Sequence, residues 1–149
     1  MDVRSLLVLR GRRAHTITPD SRVEDALGLR AGGKPPPFMV VQGGMPVGIV
    51  EEGHLLDHCL QREGGARAGV LVEEVMSTQL SIAEPGDGIA GHAAAMLRRD
   101  IEVLAVVEEG KIIGVLLLRD LMRHQIEALT AEIENLQEYL SSLQDAMMD

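Results

Sequence analysis

The hydrophobic pattern of this chain is written twice and then extended. Thr16-Ile17-Thr18-Pro19-Asp20-Ser21 predicts a short extended segment ending in a turn. Val23-Glu24-Asp25-Ala26-Leu27 then opens a helical spacing, for which Asp20 or Ser21 is the expected cap. Gly32-Gly33-Lys34-Pro35-Pro36-Pro37 breaks that helix. Phe38-Met39-Val40-Val41 has the length and apolar run of a buried strand, Gln42 to Pro46 a turn, and Val47-Gly48-Ile49-Val50 the returning strand. A second helix is expected from roughly Glu52 to Gln61, followed by a polar, Gly-containing linker from Arg62 to Arg67.

The same order then returns. Val72 to Met76 is helical, Leu80-Ser81-Ile82 extended, Gly88 to Arg99 a helix rich in Ala, Val103 to Val107 a strand, Glu108 to Lys111 a turn and Ile112 to Leu116 the return strand. One constant shift along the chain places Pro19 on Pro85, Val23 on Ile89, Phe38 on Leu104, Gly48 on Gly114 and His58 on His124 with no gap. A fixed offset over that length means two copies of one supersecondary unit, each with half a hydrophobic face to bury. The two should pack on each other, and a function is expected at their seam.

The last helix outruns its twin. From Met122 the apolar residues fall at Ile126, Leu129, Ile133, Leu136, Leu140, Leu143 and Met147, alternating steps of 4 and 3. That is a heptad, uninterrupted by Gly or Pro, on a helix predicted from about Arg119 to Ala146 and about 40 Å long. A stripe this narrow suits a parallel two-stranded coiled coil in a homodimer; the alternative is a helix folded back on its own domain. The flanking Gln125, Thr130, Glu132, Gln137, Tyr139 and Gln144 carry few opposite charges, so salt bridges do not choose the partner.

Composition narrows the possible functions. The chain has 149 residues, enough for one domain or two small ones, and Phe38 and Tyr139 are its only aromatics, so aliphatic residues must build the core. No apolar run approaches the roughly 18 residues of a membrane span, and Leu6-Leu7-Val8-Leu9 is too short for a signal segment. Cys59 is alone, so no internal disulfide forms, and a cytoplasmic location is expected. The net charge of −9 argues against a general nucleic-acid binder; Arg10, Arg12 and Arg13, and Arg98 and Arg99, read as small solvated patches. His54, Asp57 and His58 share one helical face beside Cys59, but no Glu stands between the histidines as in a metalloprotease helix, so no metal is expected. No nucleophile elbow or phosphate loop is visible, and the chain is read as a non-enzyme.

Two stretches carry a family resemblance. Thr16 to Leu27, Val40-Val41 and Gly48-Ile49-Val50 resemble one cystathionine-beta-synthase (CBS) domain. Val75-Met76-Ser77, Ser81-Ile82, Pro85, Val106-Val107, Gly114-Val115-Leu116 and Leu118 to Met122 resemble a second. The pair resembles a Bateman module over about residues 1 to 124. The implied fold is α/β (α+β), with two βαββα-type repeats about a pseudo-twofold axis. The division expected is 1–66 for the first repeat, 67–124 for the second and 125–149 for the coiled-coil helix. The resemblance also implies pairing of modules into a disc, an adenosine-type ligand in a cleft between the units, and regulation of a further protein that the sequence does not name. AMP, ATP, adenosine and S-adenosylmethionine are the implied regulatory ligands, none of them a required cofactor.

In that family the strand-to-helix corner carries Gly, then a hydroxyl for phosphate, then Asp for the ribose. Gly114 and Asp120 match in the second repeat, while Leu117 stands at the hydroxyl position. The implied ligand residues are Ser81, Ile82, Arg99, Val103, Leu104, Gly114, Arg119 and Asp120. Asp120 reads equally as an acid in the first turn of the long helix, favoured there by the helix dipole. The first repeat's set, Thr16, Gly48, Glu51 and His54, reads as a degenerate site: Glu51 repels phosphate, and a neutral imidazole accepts one hydrogen bond where a carboxylate accepts two.

Overall fold

The computed structural model describes residues 1–63 and 69–148. Most of the expected linker from Arg62 to Arg67, the division between 66 and 67, and the last residue of the 125–149 segment lie outside the described residues.

The first repeat runs β1 (His15–Ile17), α2 (Val23–Ala31), β2 (Phe38–Gln42), β3 (Met45–Val50) and α3 (Glu52–Glu63). The second runs β4 (Ser81–Ala83), α5 (Ile89–Arg99), β5 (Val103–Glu108), β6 (Lys111–Leu117) and α6 (Leu118–Met147). Each is preceded by a helix, α1 (Val3–Arg10) and α4 (Val72–Val75). The apolar pattern anticipated every element but α1. Its helix rests on local chemistry: Asp2 caps it by accepting from the Ser5 N–H at 2.9 Å, and Val3, Leu6 and Leu7 make an i, i+3, i+4 stripe.

Each repeat makes a three-stranded sheet with the same order, β1-β2-β3 and β4-β5-β6. The registers are the same to the residue. His15 pairs with Phe38 and Ser81 with Leu104, both parallel, and the bulges fall between Val40 and Val41 and between Val106 and Val107. The pseudo-twofold passes between the hairpins, where a Cβ on Gly44 would lie 2.8 Å from the carbonyl oxygen of its mate Gly110. Met39, Ile49, Val103, Ala105 and Val115 are buried in one cluster between the sheets. Their outer faces carry the helices.

The leading helices are exchanged. Val3 and Leu6 of α1 are buried in the core of the second repeat, with Ala93, Met96, Leu104 and Leu121. Val72 of α4 is buried in the core of the first, with Val23, Phe38, Val50 and Leu55. The backbone repeats the exchange: the N–H groups of Val3 and Arg4 donate to the carbonyls of Asp87 and Pro85, and those of Val72 and Glu73 donate to Ser21 and Pro19, the mates of 87 and 85. Each fully buried Val or Leu contributes about 1.5–3 kcal/mol, enough to hold each helix on the opposite unit.

The expected caps of α2 are corrected. Asp20 and Ser21 hydrogen-bond to Thr18 Oγ1, the helix starts at Val23 as the spacing predicts, and Asp25 reaches back to the Arg22 N–H at 2.9 Å. The third residue of the helix thus does the capping. The same reach-back recurs at α3, α4 and α6.

The fold-back alternative for the last helix is also corrected. α6 packs against α5 and α1, and its buried and half-buried residues all lie at or before Gln125. From Ile126 onward every described residue is exposed, and Ile126, Leu129, Ile133, Leu136, Leu140 and Leu143 are 42% to 59% accessible. Among the described residues nothing covers that stripe.

Candidate functional site

The two strand-to-helix corners are built alike. At the first, β3 ends and the Glu51 N–H donates to His54 Nδ1 at 2.9 Å. At the second, β6 ends and the Leu117 N–H donates to Asp120 Oδ2 at 2.8 Å. The corner residues His54 and Asp120 are therefore helix caps in both copies, each satisfying an amide that the helix start would leave unpaired.

The second corner has an added charge contact. Asp120 is 5% accessible, and Arg12 Nη1 donates to the same Oδ2 at 2.5 Å. Arg12 comes from the strap between α1 and β1, whose backbone exchanges two hydrogen bonds with Val115 at 2.9 and 3.0 Å. The buried carboxylate is thereby both paired and hydrogen-bonded, the arrangement that makes burying a charge tolerable.

A cleft of about 670 Å³ opens between the corners. Its walls are Pro36 and Pro37, Glu51 and Glu52, Glu102 and Val103, and the turn carrying Leu117, Leu118, Arg119 and Met122. The volume suits a small organic molecule. Glu52 is tied to Arg30, whose Nε lies 2.7 and 2.9 Å from the two carboxylate oxygens. That hydrogen bond, the largest cause, holds the Glu52 carboxyl below its ordinary range and the Arg30 guanidinium above its own. Glu51, Glu102 and Arg119 also line the cleft, and with carboxylates outnumbering the cation the wall favours an uncharged ring over a run of phosphates.

The residues expected at the second site are scattered. Val103 and Arg119 line the cleft, and Asp120 stands at its corner. Leu104 is fully buried in the second core. Gly114 is covered: a Cβ there would lie 2.7 Å from Leu7 Cδ1. Ser81 pairs with Leu104 on the outer strand, Ile82 lines a separate hollow of about 520 Å³ near Glu108 and Gly110, and Arg99 is exposed in the last turn of α5. Of the set expected to be degenerate, Glu51 lines the cleft, His54 is the cap, and Gly48 is covered by Met76, whose Sδ would lie 2.5 Å from a Cβ. Thr16 lines a hollow of about 280 Å³ with Arg13, His15 and Lys34.

Sequence reasoning missed Arg12, Pro36, Pro37 and Glu102. It assembled each site from one repeat, whereas the exchanged leading segment brings the start of the first repeat to the corner of the second. The arginine cluster at 10–13, which the second copy replaces with Met76-Ser77-Thr78-Gln79, was the available signal. No group of His, Cys, Asp and Glu able to hold a metal occurs among the described residues. No helix among them is long and apolar enough to cross a membrane.

Comparison with known proteins agrees with this architecture. Residues 72–127 match the CBS domain family. A protein with CBS domains from Burkholderia ambifaria MC40-6, assigned provisionally to signal transduction, is 28% identical, with a TM-score of 0.65 over 85% of this chain and 95% of that one. CBSX2, solved in complex with AMP, is 24% identical, with a TM-score of 0.63 over 85% and 97%. The CBS-domain protein ATU1752 from Agrobacterium tumefaciens is 22% identical, with a TM-score of 0.63 over 83% and 98%. No curated protein matches the chain. The chain carries a CBS domain at 72–127, and its overall fold is that of solved CBS-domain proteins.

Proposed function

We propose that this chain is a regulatory module, without catalysis of its own. It takes an adenosine-type ligand in the cleft at the Asp120 corner and signals through α6. The observation that carries this reading is the position of the cleft. It lies between the two repeats, against the first turn of the helix that projects an uncovered heptad stripe. A ligand that favours one packing of the corners shifts the direction of α6, provided its affinity differs between the two states. A homodimer joined through α6 as a parallel coiled coil would pass that shift to a regulated protein. The neighbour solved with AMP supports the ligand class.

A second reading rests on a specific observation. Asp120 Oδ2 already accepts two hydrogen bonds, and the face of Gly114 is filled by Leu7. Under this reading the module is a dimerisation scaffold with no small ligand.

A thermal-shift panel of AMP, ADP, ATP, adenosine and S-adenosylmethionine separates the two. A ligand at 100 times its Kd adds about 2.7 kcal/mol, a shift of several degrees for a chain of this size. The sensor reading expects a shift with at least one compound, weakened about tenfold in affinity by Asp120→Asn, which keeps the acceptor for the Leu117 N–H. No shift with any of them leaves the scaffold.

A further inference from the structure

We propose that the cleft beside Asp120 is completed by a second copy of this chain, whose Arg123 seats at the rim beside Leu118 and Glu102. The proposal rests on the α6 dimer of the reading above and names the residue that the second copy supplies to the cleft.

Three observations carry it. The first is register. One heptad back from Ile126 and Leu129, the a and d positions fall on Arg119 and Met122, and both line the cleft. The seam therefore runs on into the cleft wall. Leu118, in the same wall, is a g position, and Arg123 is the e position that follows. In a parallel pair a g residue faces the e residue five positions further along the other helix, which sets Arg123 of one copy against Leu118 of the other. Ile126 and Ile133 at a, with Leu129 and Leu136 at d, favour that two-stranded parallel form.

The second is charge complementarity. The Leu118 N–H donates to the Glu102 carbonyl oxygen at 2.9 Å, so Glu102 stands beside the position that Arg123 of the other copy meets. Glu51 and Glu102 make no ion pair among the described residues, whereas Glu52 is held by Arg30. Arg119 and Arg123 are exposed and also make no ion pair among them. In the dimer the two copies of Arg119 converge on the seam, where like charges repel. The carboxylates of Glu51 and Glu102 at the same rim offset Arg119 and Arg123, copy for copy.

The third is the internal control supplied by the pseudo-twofold. The mates of Arg119 and Arg123 at the start of α3 are Gly53 and Asp57. The helix start of this fold therefore requires neither arginine. Both sit on the helix that carries the uncovered heptad stripe.

The test is sedimentation equilibrium of the full chain, of Glu102→Arg, of Arg123→Glu and of the two together. Both side chains are exposed, so the variants should fold, and their melting temperatures check this. Glu102→Gln and Arg123→Gln serve if they do not. Each single reversal should weaken the dimer about tenfold or more, because like charges then meet twice across a twofold seam, and the double reversal should recover most of the loss. Met122→Cys, made with Cys59→Ser, should form an interchain disulfide under mild oxidation, as should Leu136→Cys. Unchanged dissociation constants, or losses that simply add in the double variant, overturn the contact, and so does a cross-link at Leu136 without one at Met122. Each of those results leaves the α6 dimer standing and returns the cleft to a single chain. A chain that stays monomeric throughout overturns the dimer as well.

Discussion

The two repeats share one backbone plan and differ at the corner where a strand hands over to a helix. In the first, His54 caps Glu51 at the start of α3 (Glu52–Glu63). In the second, Asp120 caps Leu117, takes Arg12 from the exchanged strap, and α6 runs on to Met147. The difference shows how a duplicated unit acquires a direction. The cap itself is a requirement of any helix start, so both copies keep one. The charge on the cap and the length of the helix are free to vary, and only the second copy has both a buried carboxylate and a projecting stripe.

The comparison breaks most visibly at the helix stripe. If α6 pairs with a second copy, Leu136→Lys buries an unpaired ammonium at a cost of several kcal/mol, which weakens the dimer about a hundredfold or more in sedimentation equilibrium. Leu60→Lys, on the exposed face of α3, should leave the association unchanged. Equal effects would mean that the two helices play the same part.

The caps come next. Asp120→Ala removes a cap and a charge-assisted bond to Arg12, a loss of about 2–3 kcal/mol in denaturant unfolding. His54→Ala removes a cap alone, about 1 kcal/mol. Equal losses would show that Arg12 adds nothing to the corner.

The covered glycines sharpen the contrast between the exchanged helices. Gly114→Ala meets the end of the Leu7 side chain, which can turn aside, so about 1 kcal/mol is expected, largely recovered in the double variant with Leu7→Ala. Gly48→Ala meets the Ser77 carbonyl oxygen at 3.0 Å as well as Met76, so about 2 kcal/mol is expected, with little recovery from Met76→Ala.

The smallest effect separates the turns before α2 and α5. The second turn holds Asp87, whose carboxyl is kept below its ordinary range first by the Glu84 N–H and then by His92, while the first turn uses the neutral Ser21. A depressed carboxyl stabilises above its unfolded value near 3.8, and that stability is lost as pH falls through the lower folded value. Asp87→Asn should flatten the acid limb of a melting profile below about pH 4, by no more than about 0.5 kcal/mol for so exposed a group. Ser21→Asn should leave that limb unchanged.

Much of the fold was legible because its signals are local. Apolar runs at Phe38 and Val103, Gly and Pro at the turns, and the alternating 4 and 3 spacing after Met122 each report on neighbours close in sequence. α1 escaped because Leu6 to Leu9 is a solid apolar run, two of whose members, Val8 and Leu9, remain exposed. The site was legible only in part. Glu51, Arg119, Val103 and the Asp120 corner lie at the cleft, yet Ile82, Leu104 and Arg99 turned elsewhere and Arg12 was missed.

The sequence by itself determined the duplication, the order of elements from β1 onward, the corner residues and the length of the last helix, because each depends on spacing along one stretch of chain. Tertiary structure alone decided which corner meets which segment. That choice rests on the exchange of α1 and α4, and the exchange is set by hydrophobic burial, which has no direction along the chain. Val3 and Leu6 settle in whichever core offers them space, and here that core belongs to the other repeat, at Ala83 and Leu121.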